Sequence, residues 1–421
     1  MTKSATGSAF SKSAAFEGRF LRKNPWDLAM VVWIPLMTIG LIWWIFSQSQ
    51  ITDLPVGVID DDHGAVAGTV VRYLDASPDI RVEKLYHSQE DAKNALLTRE
   101  IYAVVIIPNN FTANLLSKTP APITLQVNAQ YGTHSGIIQK SVQSVVGTVS
   151  AGVEIQQLIK QGVSPSQAAI DYSPIKVSRV SLFNEATNYQ QFLASTVIPA
   201  LLHILAMVIG ATTIGRELRD KTLGHWAQFI AGNRQNPPYS YPINLEKRVT
   251  QATKKVSFFT LISGLLGKYA WQMLAFAIWA ALATWLASYQ HHLASSSILL
   301  TFGAQTVLLW LSFWLGAIFT LAAFSLRTGL SATGFISAPS YAFAGVTFPY
   351  IAINKSAQHW SNVLPLTHYL KLHIAQLQMA APALLSLPIF FGLSLAAIIA
   401  LLLTTLLTRR ALVNPARWGA R

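Results

Sequence analysis

Residues 192–226 read FLASTVIPALLHILAMVIGATTIGRELRDKTLGHW. From 192 to 214 there is no Asp, Glu, Lys or Arg; the chain then meets Arg216, Glu217, Arg219, Asp220 and Lys221. A bilayer core of about 30 Å is crossed by roughly 20 apolar residues in a helix. An apolar run of that length, closed abruptly by mixed charge, predicts a membrane-crossing helix that emerges into water. This reading decides the fold class: an α-helical membrane protein.

Working outward, five more stretches free of ionised residues have membrane length: 28–46, 269–286, 298–324, 330–351 and 387–407. Six transmembrane helices are therefore expected. The fourth, 298–324, is long enough to tilt. The fifth, 330–351, carries Pro339 and Pro349 and is expected to kink or break near its end. Composition agrees: 52% of the 421 residues are hydrophobic and only 12% charged, against about a quarter charged in soluble domains. With a mean hydropathy of +0.39, this excludes a soluble enzyme, a disordered tail and a fibrous repeat. The chain has no cysteine, so disulfide scaffolds, thiolate metal sites and cysteine nucleophiles are excluded too.

Residues 47–191, between the first two spans, have ordinary soluble composition. They hold thirteen acids and ten bases, a net charge of −3, so with +13 overall the rest of the chain carries +16. Those bases sit beside span ends: five before residue 28, nine between Arg216 and Lys268, Arg327 between the fourth and fifth spans, and four after 407. With six spans all four segments fall on one side, and basic residues at span ends mark the cytoplasmic face. Segments 1–27, 215–268 and 408–421 are thus expected inside, and 47–191 and 352–386 outside. The basic excess reads as membrane orientation and not as nucleic-acid affinity. The first span exceeds a signal-peptide core and lacks a small-residue cleavage site after it, which favours a retained anchor. Before it, Phe10, Phe16 and Phe20 among basic and small residues suggest an amphipathic lead-in helix at the interface.

Within 47–191, apolar runs alternate with turn residues. Strands are expected at 54–59, 80–82, 101–107 and 123–127, and helices at 65–74, 88–97 and 137–161. Ser88 with Asp91 resembles a capping box. The alternation predicts an α/β domain with some parallel pairing, inserted between the first two spans. Asp60, Asp61 and Asp62 are three adjacent acids that lack the alternating ligand spacing of a calcium loop. They read as a solvated turn, and His291-His292 as an exposed loop pair. No metal site is assigned. No Ser-His-Asp, nucleophile-elbow or HExxH arrangement appears.

Four passages, in order along nearly the whole chain, resemble the membrane subunits of type-2 ABC exporters. They are Arg22-Lys23-Asn24-Pro25 before the first span, and 54–62 with Ile106-Ile107-Pro108-Asn109-Asn110-Phe111. The others are Arg216–Leu223 together with Gly267-Lys268, and 339–349 followed by Val363-Leu364-Pro365-Leu366-Thr367-His368-Tyr369. The resemblance implies six spans per subunit, a second permease subunit forming a homo- or heterodimeric pore, and a separate cytoplasmic ABC ATPase. A large outside domain is typical of the family's drug- and small-molecule-efflux branch, and a periplasmic adaptor is a further partner to consider. The resemblance also implies a bacterial inner membrane location with both termini cytoplasmic. One departure is the 51 positions from Glu217 to Lys268, about twice the family's usual distance, with the excess around 233–255.

No GxxxxGK[ST] occurs, so this chain holds no P-loop and is expected to bind no cofactor, with ATP and Mg on the partner. The spans hold no carboxylate or lysine for proton coupling; His203 is the one exception, more simply read as a packed, hydrogen-bonded side chain. Energy must then enter at the charged inner segment. A short helix over 217–226 is expected, with Glu217, Arg219, Asp220, Lys221 and Thr222 as the ATPase-coupling residues and Leu223, Trp226 and Phe229 anchoring it to lipid and neighbouring spans. The candidate substrate path between the first, second and fifth spans comprises Met30, Trp33, Trp43, Thr196, His203, Ser337, Ser340, Tyr341 and Phe343. The expected function is ATP-driven export of an amphipathic or hydrophobic small molecule. Two alternatives stay open: a non-transporting scaffold or secretion factor presenting the outside domain, and a secondary carrier.

Overall fold

Ser8 opens the first helix by accepting a hydrogen bond from the Ser11 N–H at 3.3 Å. That helix, α1 (Ala9–Lys23), buries Ser13, Phe16, Glu17 and Leu21 along one face, the i, i+3, i+4 stripe of an amphipathic helix. Asn24 ends it, and Pro25 at the first helical position starts α2 (Pro25–Val31). The chain bends by 40° into α3 (Trp33–Ile45). Pro35 accounts for this bend: its ring leaves the Val31 carbonyl without an intrahelical donor, and the Trp279 indole N–H donates to that carbonyl at 3.0 Å. In this computed structural model, residues 8–117, 119–172, 182–184, 187–232, 256–289 and 292–419 are described. The chain divides into two compact units, Gln50–Ser181 and the remainder, Met1–Ser49 with Leu182–Arg421.

The Gln50–Ser181 unit contains β1 (Leu54–Asp60), α4 (Ala65–Asp75), β2 (Ile80–Leu85), α5 (Gln89–Thr98) and β3 (Ala103–Ile107). These are followed by α6 (Phe111–Leu116), β4 (Thr124–Val127), α7 (Gly132–Lys160) and α8 (Pro165–Tyr172). The sheet order is β2-β1-β3-β4, with β1 parallel to β2 and β3, and β4 antiparallel to β3. Both faces of β3 are covered. Ala103, Val105 and Ile107 join one apolar cluster with Val70, Leu74 and Ile138, while Val104 and Ile106 join another with Ala92 and Ala95. A central strand buried on both sides needs an unbroken apolar run, and AVVII is one.

The acidic turn closes on itself. Asp60 Oδ1 accepts the N–H groups of Asp62 and His63 at 3.1 and 3.0 Å. Asp62 accepts from the Gly64 N–H and from both the hydroxyl and the N–H of Thr112. Desolvation works against the Asp62 charge, but the Thr112 and backbone hydrogen bonds outweigh it and hold this carboxyl below the ordinary range.

The second unit resumes with a π turn (Gln190–Ala194) leading into α9 (Ser195–Arg219), then α10 (Leu223–Ile230), α11 (Phe258–Ser288) and α12 (Ser295–Ala323). It ends with α13 (Leu326–Ser337), α14 (Ser340–Phe343), α15 (Lys355–Val363), α16 (Pro365–His373) and α17 (Leu387–Val413). Among the described residues four helices are long and apolar enough to cross a membrane: Gln190–Arg219, Phe258–Ser288, Ser295–Ala323 and Ala383–Val413; the bent α2–α3 pair adds a fifth.

The expected fifth span, 330–351, is not a continuous helix. It breaks after Ser337, continues as the single turn α14, and ends in a short 3-10 turn at Tyr350–Ala352. Pro339 and Pro349 and the left-handed Gly345, at φ +77°, explain the interruption. Beyond it, α16 is buried on most of its residues while α15 is largely exposed.

The α9 and α12 helices pack backbone to backbone. A Cβ placed on Gly210 would lie 2.1 Å from the Phe313 carbonyl oxygen, and one on Gly316 would lie 2.0 Å from the Met207 carbonyl oxygen. Reciprocal glycines let two backbones touch, the small-residue packing that apolar solvent favours.

Candidate functional site

The last turn of α9 stops in a left-handed cap. The Thr222 N–H donates to the Glu217 carbonyl at 2.8 Å, the Lys221 N–H donates to Leu218 at 3.3 Å, and Lys221 has φ +57°. This is the paired bonding of a Schellman motif. The hydrophobic contact that usually accompanies it is replaced by a polar one, the Thr222 hydroxyl donating to the Glu217 carboxylate. The short helix therefore begins at Leu223 rather than at 217, and Glu217 belongs to the span.

Glu217 points inward. Lys268 Nζ, fully buried on α11, lies 2.6 Å from Glu217 Oε1 and 3.5 Å from Glu17 Oε2. Arg216 Nη2 donates to both oxygens of Glu17, while its Nη1 lies 3.6 Å from Asp27 Oδ1. Gln272 Nε2 donates to Glu17 Oε1 at 2.9 Å. Aromatic rings close the site. The Arg216 guanidinium lies 3.7 Å from the Phe20 ring centroid, and Lys268 Nζ lies 5.3 and 5.6 Å from those of Phe16 and Trp226. One ion network thus joins α1, α2, α9 and α11. The α10 helix is pinned beside it, with the Trp226 indole donating to Ser13 Oγ at 3.0 Å and Phe229 packing on Phe16.

One correction follows. Glu217 and Thr222 do not project as free polar contacts, because each satisfies the other or Lys268 inside the protein. Leu223, Trp226 and Phe229, expected to anchor the segment to lipid and neighbouring spans, are buried against neighbouring helices. Arg219 and Asp220 remain outward, paired with each other at 2.8 Å and more than half and half exposed at 63% and 50%; Lys221 is exposed as well. Sequence reasoning missed Glu17 and Asp27, and read Lys268 as a basic residue at a span end. One signal was present: Glu17 falls on the same helical face as Ser13, Phe16 and Leu21. The segment 233–255 lies outside the described residues, and so does His291.

A family model described as ABC-2 family transporter protein matches residues 25–233, which contain Asp27, Arg216, Glu217 and the charged cap. The chain belongs to the ABC-2 transporter permease family. Among curated proteins and solved structures no match is found. As an ABC-2 permease it is a multi-pass membrane subunit of a transporter, not itself catalytic. Membership implies in general an ATPase partner and a paired permease.

The candidate path residues of this permease do not line one cavity. Thr196 Oγ1 and Tyr341 Oη are brought together at 2.8 Å. His203 is buried, with Nδ1 2.7 Å from Ser312 Oγ, and ties α9 to α12. Ser340 donates to the Ile336 carbonyl within its own segment at 2.7 Å, and Ser337 is buried. Phe343 lines a wholly different cavity from Met30, in company with Phe335, Pro339, Trp360 and Leu364. Trp33 is exposed, and the Trp43 carbonyl accepts from Gln190 Nε2 at 3.0 Å.

Proposed function

We propose that this chain is the membrane subunit of an ATP-driven exporter that moves an amphipathic or hydrophobic small molecule out of the cytoplasm or the inner leaflet. A separate ABC ATPase, carrying ATP and Mg, supplies the energy, and a second permease subunit completes the pathway. The protein sits in a bacterial inner membrane with both termini cytoplasmic, and the Gln50–Ser181 unit faces outward, where an adaptor protein would meet it.

One observation carries the reading. The exposed Arg219, Asp220 and Lys221 follow directly on a span whose last turn is locked by buried ions to α1, α2 and α11. A force applied at that cap reaches four helices as one body, because a buried ion network yields only at a cost of several kcal/mol. The coupling role thus divides: Arg219, Asp220 and Lys221 meet the ATPase, while Glu217 and Thr222 transmit. Thr196, Tyr341, Ser337, Ser340 and Phe343, with Met30, Trp33, Trp43 and His203 on the neighbouring spans, supply the substrate path, whose lining forms only when spans shift or subunits pair.

The test is co-expression with the ATPase subunit and dye efflux from sealed vesicles. Alanine at Arg219, Asp220 and Lys221 together should cut ATP-dependent efflux and ATPase co-purification by about tenfold or more. Normal values of both would sink the docking role, and efflux that ignores ATP would sink the energy source.

A further inference from the structure

The charges at the inner end of the second span do not balance. Three carboxylates, Glu17, Asp27 and Glu217, face two cations, Arg216 and Lys268. Glu17 and Glu217 each have a close cation. The surplus negative charge therefore falls on Asp27, whose approach to Arg216 is 3.6 Å and whose side chain is 35% exposed. Arg219, the next cation along α9, is engaged with Asp220.

Asp27 lines a cavity of about 230 Å³ together with Trp26, Met30, Thr212, Arg216 and Gln272. Gln272 is only 1% exposed. Its Nε2 donates to Glu17, and because a carboxylate only accepts, the orientation of the amide is determined. That leaves Oε1 as a buried acceptor with no donor among the described residues. A buried acceptor left without a donor keeps its full desolvation penalty, so it points to a missing donor. An excess negative charge thus borders the cavity, and the Gln272 side chain that carries the orphan acceptor forms part of its wall.

A water molecule would bring a donor but no charge. A hard metal ion would want six or more oxygen ligands, and no cluster of three metal-binding side chains occurs among the described residues. An organic ammonium brings both the charge and up to three N–H donors. The walls suit its remainder, since Trp26, Met30, Leu21 and Val31 are apolar. The volume is below the roughly 300–1,000 Å³ of pockets that enclose whole drug-sized ligands. It fits a head and its first carbons, with the tail extending outward past the exposed Trp26.

We propose that this cavity binds the ammonium head of an amphipathic amine, with Asp27 as counter-ion and Gln272 Oε1 as hydrogen-bond acceptor. The site deepens the export reading and rests on it for its biological role, since an amine captured here stands at the level from which the exporter loads. Free lipophilic amines and aminophospholipid headgroups share this chemistry.

Binding is measured without ATP or ATPase, so a negative result bears on this site and not on transport. The full-length chain in phosphatidylcholine nanodiscs is titrated with dodecylamine and, as the neutral counterpart, dodecanol. The amine should bind about tenfold tighter than the alcohol. Asp27→Asn should erase that difference, Asp27→Glu should keep most of it, and Gln272→Leu should weaken the amine alone. Met30→Trp, which fills the cavity and replaces no member of the ion network, should abolish amine binding even if Asp27→Asn fails to fold. Equal amine affinity in Asp27→Asn or Met30→Trp and the native chain overturns the proposal, as does equal affinity for amine and alcohol. Mixed nanodiscs separate the sources. Asp27-dependent retention of phosphatidylethanolamine over phosphatidylcholine in native mass spectrometry identifies a headgroup site; dodecylamine binding without that retention identifies a free-amine site.

Discussion

Lys268 is the most consequential single side chain in the permease. It is fully buried on a membrane-spanning helix, and among the described residues its ion-pair partners are Glu217 and Glu17. Removing one partner of a buried pair costs about 3–5 kcal/mol, whereas removing both and substituting apolar groups is often close to neutral. Lys268→Met should therefore lower the heat-unfolding midpoint of the purified chain by many degrees. Lys268→Met combined with Glu217→Leu should recover most of that loss. A single variant within about a degree of the native midpoint would show that the pair contributes nothing. This residue also marks where sequence reading runs out. A lysine next to a long apolar run resembles one that anchors a span end, and only the arrival of Glu17, some 250 positions away, places it inside.

Among the elements, the α9–α12 contact brings two backbones together at reciprocal glycines. Gly210→Leu would drive a side chain into the Phe313 backbone, for which no rotamer compensates. It should abolish the monodisperse peak in size-exclusion chromatography. Gly334→Ala on α13 is the matched control, because its added Cβ meets nothing within 4 Å and alanine favours a helix by about 1 kcal/mol; it should leave the peak unchanged. A stable, monodisperse Gly210→Leu protein would refute the close packing. The long apolar helices were legible because their composition alone requires them to be helices in lipid. The strands β1 and β3 were legible from unbroken apolar runs beside turn residues. The interruption of the fifth stretch was legible only as two prolines, since whether a proline kinks a helix or ends it depends on what can receive the freed carbonyls.

At the scale of the whole molecule, orientation is the claim with most resting on it. The cysteine-free chain suits labelling with one introduced thiol at a time. Glu90→Cys should react with a membrane-impermeant maleimide in intact cells, while Ala416→Cys should react only after permeabilisation. The reverse pattern would overturn the inward termini and with them the direction of transport. The sequence by itself determined the membrane class, which follows from composition, and the family, through the resemblance of short passages that occur in order along one chain. Tertiary structure alone decided which charges are buried, since burial of an ion depends on partners that only folding brings near. For that reason Glu17, Asp27, Arg216, Glu217 and Lys268 became one site, and Arg219, Asp220 and Lys221 were left facing water.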